Sequence, residues 1–274
     1  MKIAIDCGHG YNTAGKCSPP FVNDITHTYK GNTITIKKGE SLKEHVANVG
    51  VAIYLEKELK RCCFEIYRSG YNDDNPKDDV CPANPNTDIT ERQQAIRKEN
   101  VDASISIHFN AYGSAKTFNS ASGINVYVGQ KESRLKKSLP LAQKVLKNLV
   151  DCYGQNNRGI VKNDTLGMTN ATGLNTSVAI LLELGFMTNQ KEAEKYFCNP
   201  EAWYNYAVAI AKALCEHFGM AYIKEEKRHL KLTSPYMRGD DVKELQSLID
   251  VTTDGVYGPA TDKKVKEILD ALGM

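Results

Sequence analysis

Two histidines and two glutamates, spread from position 9 to position 183, have the types and settings that hydrolytic metal chemistry requires. His9 lies in Gly8-His9-Gly10, directly after the strand-like run Lys2-Ile3-Ala4-Ile5-Asp6. His108 ends Ser104-Ile105-Ser106-Ile107-His108, and Glu183 ends Val178-Ala179-Ile180-Leu181-Leu182-Glu183. Glu44 opens a helical pattern in which Ala47, Val51, Leu55 and Leu59 recur on one stripe. Two imidazoles and a carboxylate can hold a zinc ion while leaving one position open, and a further carboxylate can move protons. His9, Glu44, His108 and Glu183 are therefore candidates for one hydrolytic metal site, with the roles of the two glutamates left open.

Each of these residues also has an ordinary explanation. A histidine at a strand end can be a hydrogen-bonded core residue, Glu44 a helix-start charge favoured by the helix dipole, and Glu183 half of a structural ion pair. Position shifts the balance. In open α/β sheets ligand sites form beyond the carboxyl ends of strands, where three of the four fall. Period-two alternation puts Ser106 and His108 on one face and the neighbouring isoleucines on the other. Glu183 interrupts an otherwise apolar run, and a buried carboxylate there has a raised pKa, which suits a general base near neutral pH. Gly8 and Gly10 permit a sharp turn at His9. The competitors of Glu44 are His45, rotated off the apolar stripe, and Glu40, in the preceding loop.

The elements that must position these residues alternate. Strands are expected over 2–6, 64–67, 104–108, 124–128, 159–161 and 178–183, with helices near 41–61, 88–99, 132–152 and 201–218. That order predicts an α/β fold with a sheet covered on both faces. Residues 26–37 predict a small hairpin around Lys30-Gly31-Asn32, and residues 69–87, rich in Asn, Asp and Pro, a surface loop. Near Ile223 the texture changes. A main domain over 1–222 is followed by a charged linker over 223–231 and a small helical domain over 232–274. The last has two amphipathic patterns joined by Thr253-Asp254-Gly255-Val256-Tyr257-Gly258-Pro259.

The bulk numbers narrow the partners. The 274 residues carry a net charge of +2, with 41% hydrophobic and 25% charged residues, which gives no electrostatic case for nucleic acid. No apolar stretch is long enough to insert in a membrane. The N-terminus reads as a first core strand rather than a signal peptide, so synthesis in the cytoplasm is expected. Eight cysteines show no C-x-x-C spacing, and Cys7 reads as a core residue despite its closeness to His9.

Four motifs, in order, then resemble one family. They are Cys7-Gly8-His9-Gly10; Glu44-x-x-x-Asn48; Glu91-Arg92 followed by Ser106-Ile107-His108-Phe109-Asn110-Ala111; and Leu182-Glu183-Leu184-Gly185-Phe186-Met187-Thr188-Asn189. Over roughly residues 1–218 they resemble zinc-dependent N-acetylmuramoyl-L-alanine amidases of the Amidase_3 type. The resemblance implies a mixed, mostly parallel sheet with flanking helices. By motif position His9, Glu44 and His108 would bind Zn2+, and Glu183 would be the catalytic carboxylate. The chain departs from the family pattern in having Cys7 where proline is common, and in an insertion over 16–43. Residues 238–246 and 254–261 resemble a small helical peptidoglycan-binding module. The resemblance implies a hydrolase of bacterial peptidoglycan that acts on the cell wall after release, as a phage endolysin does. A host autolysin or germination lysin, a zinc carboxypeptidase or deacetylase acting on the same polymer, and a non-catalytic wall-binding protein remain the alternatives.

Overall fold

The alternating runs become a six-stranded sheet in a computed structural model that describes residues 1–77, 88–114, 116–226 and 228–273. Its strands are β1 (Lys2–Cys7), β4 (Glu65–Ser69), β5 (Ala103–Asn110), β6 (Ile124–Val128), β7 (Asn157–Lys162) and β8 (Val178–Phe186). The order is β4-β1-β5-β8-β6-β7. β4, β1, β5 and β8 are mutually parallel, β6 runs antiparallel to β8, and β7 is parallel to β6. The expected mixed, mostly parallel α/β sheet is what forms.

Pleating divides the strands into two chemistries. Ile3, Ile5 and Cys7 of β1, Ile105, Ile107 and Phe109 of β5, and Ile180, Leu182 and Leu184 of β8 enter one large core. α1 (Glu44–Arg61), α3 (Glu132–Tyr153) and α5 (Pro200–Phe218) pack into that core. Each fully buried Ile or Leu there contributes about 1.5–3 kcal/mol. The alternate residues Ala4, Ala179 and Leu181 face a smaller cluster with Ile96 of α2 (Ile89–Glu99) and Met168. By the same alternation Asp6, Ser104, Ser106, His108 and Glu183 project to this thinner side, which is why so many polar residues can sit in central strands. Cys7 is fully buried, as expected.

Local chemistry sets the helix ends. Asn199 caps α5 with Pro200 in its first turn, and Gly219 closes it in the left-handed region. α1 has no side-chain cap; instead its first amide, Glu44 N–H, donates to the Lys16 carbonyl at 3.0 Å. The inserted segment thus ends where the helix begins, tied further by a bridge between Cys17 and Lys43. Inside it, β2 (Ile25–Tyr29) and β3 (Asn32–Ile36) form the expected hairpin, which leans on α5 through the Tyr29 and Tyr204 rings.

Several expectations need correction. β5 and β8 run past His108 and Glu183 to Asn110 and Phe186, with a register slip after the paired residues His108 and Glu183. A short helix α4 (Gln190–Glu192) running into a π turn (Ala193–Phe197) was not legible in the periodicity. Of the expected loop 69–87, residues 78–87 lie outside the described residues. Beyond α5 the chain forms α6 (Asp240–Leu248) and α7 (Pro259–Ala271). Within α6 Gln246 is buried: its amide donates to Asp254 and Thr261, and its carbonyl accepts from Gly255 N–H. Lys57 of α1 pairs with Asp240, and the Lys243 side chain packs over Gly31 of the hairpin turn. Among the described residues no helix is long and apolar enough to cross a membrane.

Candidate metal centre

His9, Glu44 and His108 converge at the carboxyl edge of the sheet, with one donor atom of each lying within 4.8 Å of the others. His9 Nε2 is 3.3 Å from Glu44 Oε2, and His108 Nδ1 is 3.1 Å from Glu44 Oε1. The imidazole rings meet edge to face, with centroids 5.0 Å apart. Each donor arrives by a different route. β5 carries His108 in register with Glu183 of β8, so strand pairing alone sets those two side by side. Glu44 reaches them from the first turn of α1, where it also accepts the Phe109 N–H at 3.2 Å. His9 follows β1 in a left-handed conformation with φ of 64°.

That last feature changes the reading of the Gly-His-Gly turn. The positive φ falls on His9 itself, at a cost of about 1–2 kcal/mol for a residue with a Cβ. Gly8 answers a different need. A Cβ on Gly8 would lie 2.2 Å from the His108 ring, so only glycine lets that imidazole close over the end of β1. The Gly8 carbonyl is held by Asn48 Nδ2 and by His45 Nδ1, each at 3.1 Å. His45 is therefore rotated off the apolar stripe of α1 yet fully buried, because the chain following β1 covers that flank. Glu40, the other competitor, stays in the loop and accepts from Lys37 N–H.

Beneath the histidines lies a buried polar network. Asp6 is fully buried and accepts from Ser69 Oγ at 2.7 Å, Arg92 Nη1 at 2.8 Å and Ser106 Oγ at 2.6 Å. Arg92 also donates to the Cys7 carbonyl at 2.7 Å, so it braces the backbone leading into His9. Sequence reasoning gave Asp6 no such role; its signal was a charge at an inward phase of β1.

Protonation follows from burial. Burial pushes His9 down to about 3, against the pull of Glu44, so it presents a neutral imidazole with a free lone pair. Burial acts against the charged forms of Glu44 and His108 as well. Their mutual hydrogen bond and opposite charges outweigh it, lowering Glu44 and raising His108. Glu183 is pushed up to about 8, first by burial and then by the Glu44 charge, with His108 and Lys16 opposing. Its Oε2 is buried and has no hydrogen-bond partner among the described residues. The four residues line a cleft of about 310 Å³ together with Lys16, Asn110, Tyr127, Asn163 and Leu181. A second hollow of about 350 Å³, with Ile89, Met168 and Leu181 in its wall, is also lined by His9 and His108.

The donor set fits a zinc ion. Two nitrogens and a carboxylate oxygen are zinc ligands, and one such atom from each residue lies within 4.8 Å of the others. Glu183 lines the same cleft but is not among the three residues whose donor atoms lie that close together. Such a centre on the edge of a mixed α/β sheet defines the molecule as a candidate metal-dependent hydrolase.

Comparison with known proteins carries this further. The Amidase_3 profile, described as N-acetylmuramoyl-L-alanine amidase, matches residues 3–216, and the chain belongs to that family. No curated protein sequence matches the chain. Among solved structures it is similar to the N-acetylmuramoyl-L-alanine amidase of Clostridium difficile 630, with 25% identity and a TM-score of 0.56 over 80% of this chain and 97% of that one. It is similar in fold to the catalytic domain of CwlV, an N-acetylmuramoyl-L-alanine amidase from Bacillus (Paenibacillus) polymyxa var. colistinus. There the identity is 19% and the TM-score 0.57, over 81% and 99% of the two chains. The catalytic domain of an endolysin targeting Clostridia difficile shares the fold at 17% identity and a TM-score of 0.54, over 79% and 97%.

Proposed function

We propose that the chain hydrolyses the amide between the lactyl group of N-acetylmuramic acid and the L-alanine of the peptidoglycan stem peptide. The observation that carries this reading is the cluster of His9, Glu44 and His108 in one cleft with Glu183, whose Oε2 has no hydrogen-bond partner among the described residues, within a chain of the amidase family. His9, Glu44 and His108 would hold Zn2+, which supplies a Lewis acid that polarises the scissile carbonyl and acidifies water. Neutral His9 offers its lone pair without first losing a proton. Glu183 would take a proton from the attacking water and return it to the departing alanine amine. A carboxyl whose pKa lies near neutrality can do both in one cycle.

Digestion of purified peptidoglycan tests the reading. A new alanine amino terminus without new reducing sugar ends is the expected product; release of D-alanine or acetate would point instead to a carboxypeptidase or a deacetylase. Glu183→Ala is expected to retain one equivalent of zinc and to lose at least about a hundredfold in kcat, as removal of a general base does. Full activity in that variant would overturn the role given to Glu183.

Residues 232–274 we assign to wall binding, with 223–231 as linker and 1–222 as the catalytic unit. A groove between α6 and α7, lined by Tyr236, Asp250, Thr252 and Pro259, supports that assignment. A lytic role of the endolysin kind fits the same activity, and is tested by adding the protein to intact cells and following turbidity.

A further inference from the structure

Besides the glutamates and histidines already described, the cleft is lined by one further charged side chain among the described residues, Lys16. It stands at the start of the inserted segment, and its backbone carbonyl accepts the N–H of Glu44, so its place is tied to a candidate ligand. It makes no ion pair among the described residues, unlike Lys30, Lys57 and Arg92, each of which pairs with a carboxylate. Its charge nevertheless bears on His9, Glu44 and Glu183, which puts the ammonium within electrostatic reach of the reacting centre. Lys16 is only partly exposed. A partly buried lysine that lines one cleft with two carboxylates, and is salt-bridged to neither, leaves its charge for a ligand.

We propose that Lys16 is a specificity residue that binds a carboxylate on the peptide side of the scissile amide. This rests on the amidase reading. The scissile amide and its two immediate neighbours carry no charge, so the cation has no partner at the bond itself. A stem peptide continued through the side-chain carboxyl of a D-glutamate leaves that residue's α-carboxylate free, one residue beyond the alanine. An ammonium lining the cleft complements that anion and not its carboxamide counterpart, so the chain discriminates between walls that differ only in amidation at this carboxyl. Because the contact is made in the bound substrate and is not remade as the tetrahedral centre forms, its loss appears in KM rather than in kcat.

The test uses the full zinc-loaded chain and two soluble muropeptides that differ only in carrying carboxylate or carboxamide at that position. Lys16→Met is expected to raise KM for the carboxylate form about tenfold, with kcat within about twofold, and to leave the carboxamide form unchanged. Lys16→Arg keeps the preference. Binding to the Glu183→Ala background, measured by calorimetry, shows the same tenfold loss for the carboxylate form alone. An equal loss on both muropeptides, or a loss confined to kcat, overturns the proposal and places the lysine in transition-state or structural support. Wild-type protein that cleaves neither muropeptide overturns the amidase reading itself.

Discussion

Asp6 and Gly8 show how much of the centre is decided by residues that would touch neither metal nor substrate. Asp6 joins Ser69, Arg92 and Ser106, and replacing it by alanine leaves Arg92 buried without its counter-charge. Breaking a buried pair from one side costs about 3–5 kcal/mol. Asp6→Ala is therefore expected to lower stability by that amount in chemical denaturation, and Ser69→Ala by far less, because it removes a neutral donor. Gly8→Ala acts on geometry: the new methyl would occupy the space of the His108 ring. Zinc affinity in that variant, measured by competition with a chelator, is expected to fall about 10–100-fold, the range for misdirected ligand orientation. Unchanged affinity would mean that His108 contributes no ligand.

At the scale of elements, α1 joins the site to the core. One end presents Glu44 to the histidines, and its middle packs on α5 so closely that a Cβ on Gly50 would lie 2.2 Å from the Trp203 ring. Gly50→Ala is expected to destabilise by about 1–3 kcal/mol, as overpacking does, despite the better helix propensity of alanine. A rise in melting temperature would show that Trp203 has room to move. Further along, burial opposes ionisation of Glu56, but hydrogen bonds from Lys60 and Arg68 prevail and its pKa is lowered from 4.5. A carboxylate with a depressed folded-state pKa contributes stability that is fully present above its unfolded value and is lost as pH falls through the folded one. Melting temperature is thus expected to drop below about pH 4.5, and Glu56→Gln to flatten that acid limb while costing stability at pH 7.

For the whole molecule the question is what the insertion and the carboxyl-terminal helices add to the sheet. The insertion supplies both the carbonyl that receives α1 and the hairpin turn on which Lys243 rests. Among the described residues of the terminal part, Val242 and Tyr257 are the fully buried hydrophobic ones, so its core is small, and Gln246 organises it by hydrogen bonds. The exposed Lys57–Asp240 pair adds at most about 1 kcal/mol to this docking. Deleting residues 230–274 is expected to leave cleavage of soluble muropeptides intact and to reduce pelleting with intact walls. If cleavage of the soluble substrate falls with it, the terminal part supports the catalytic unit rather than wall capture.

The site's residue types, and the α/β alternation that carries them, are determined by sequence. Strand-end histidines, a glutamate breaking an apolar run and a helix stripe that begins with Glu44 can all be read from periodicity, because side-chain direction follows from local backbone repeat. How the insertion meets α1 is set by contacts between residues far apart in the chain: Lys16 to Glu44, and Cys17 to Lys43. His45 lies off the helix stripe, as its phase predicts, and is buried all the same, because the chain after β1 covers a second flank of α1. The polar links of Asp6 to Arg92 and Ser106 span most of a hundred residues, and no local pattern encodes them. Which strands are neighbours was left to the tertiary structure, and neighbourhood is what turns four scattered side chains into one site. The register of β5 on β8 sets His108 beside Glu183, and the close pass of His108 over Gly8 completes the ring of donors.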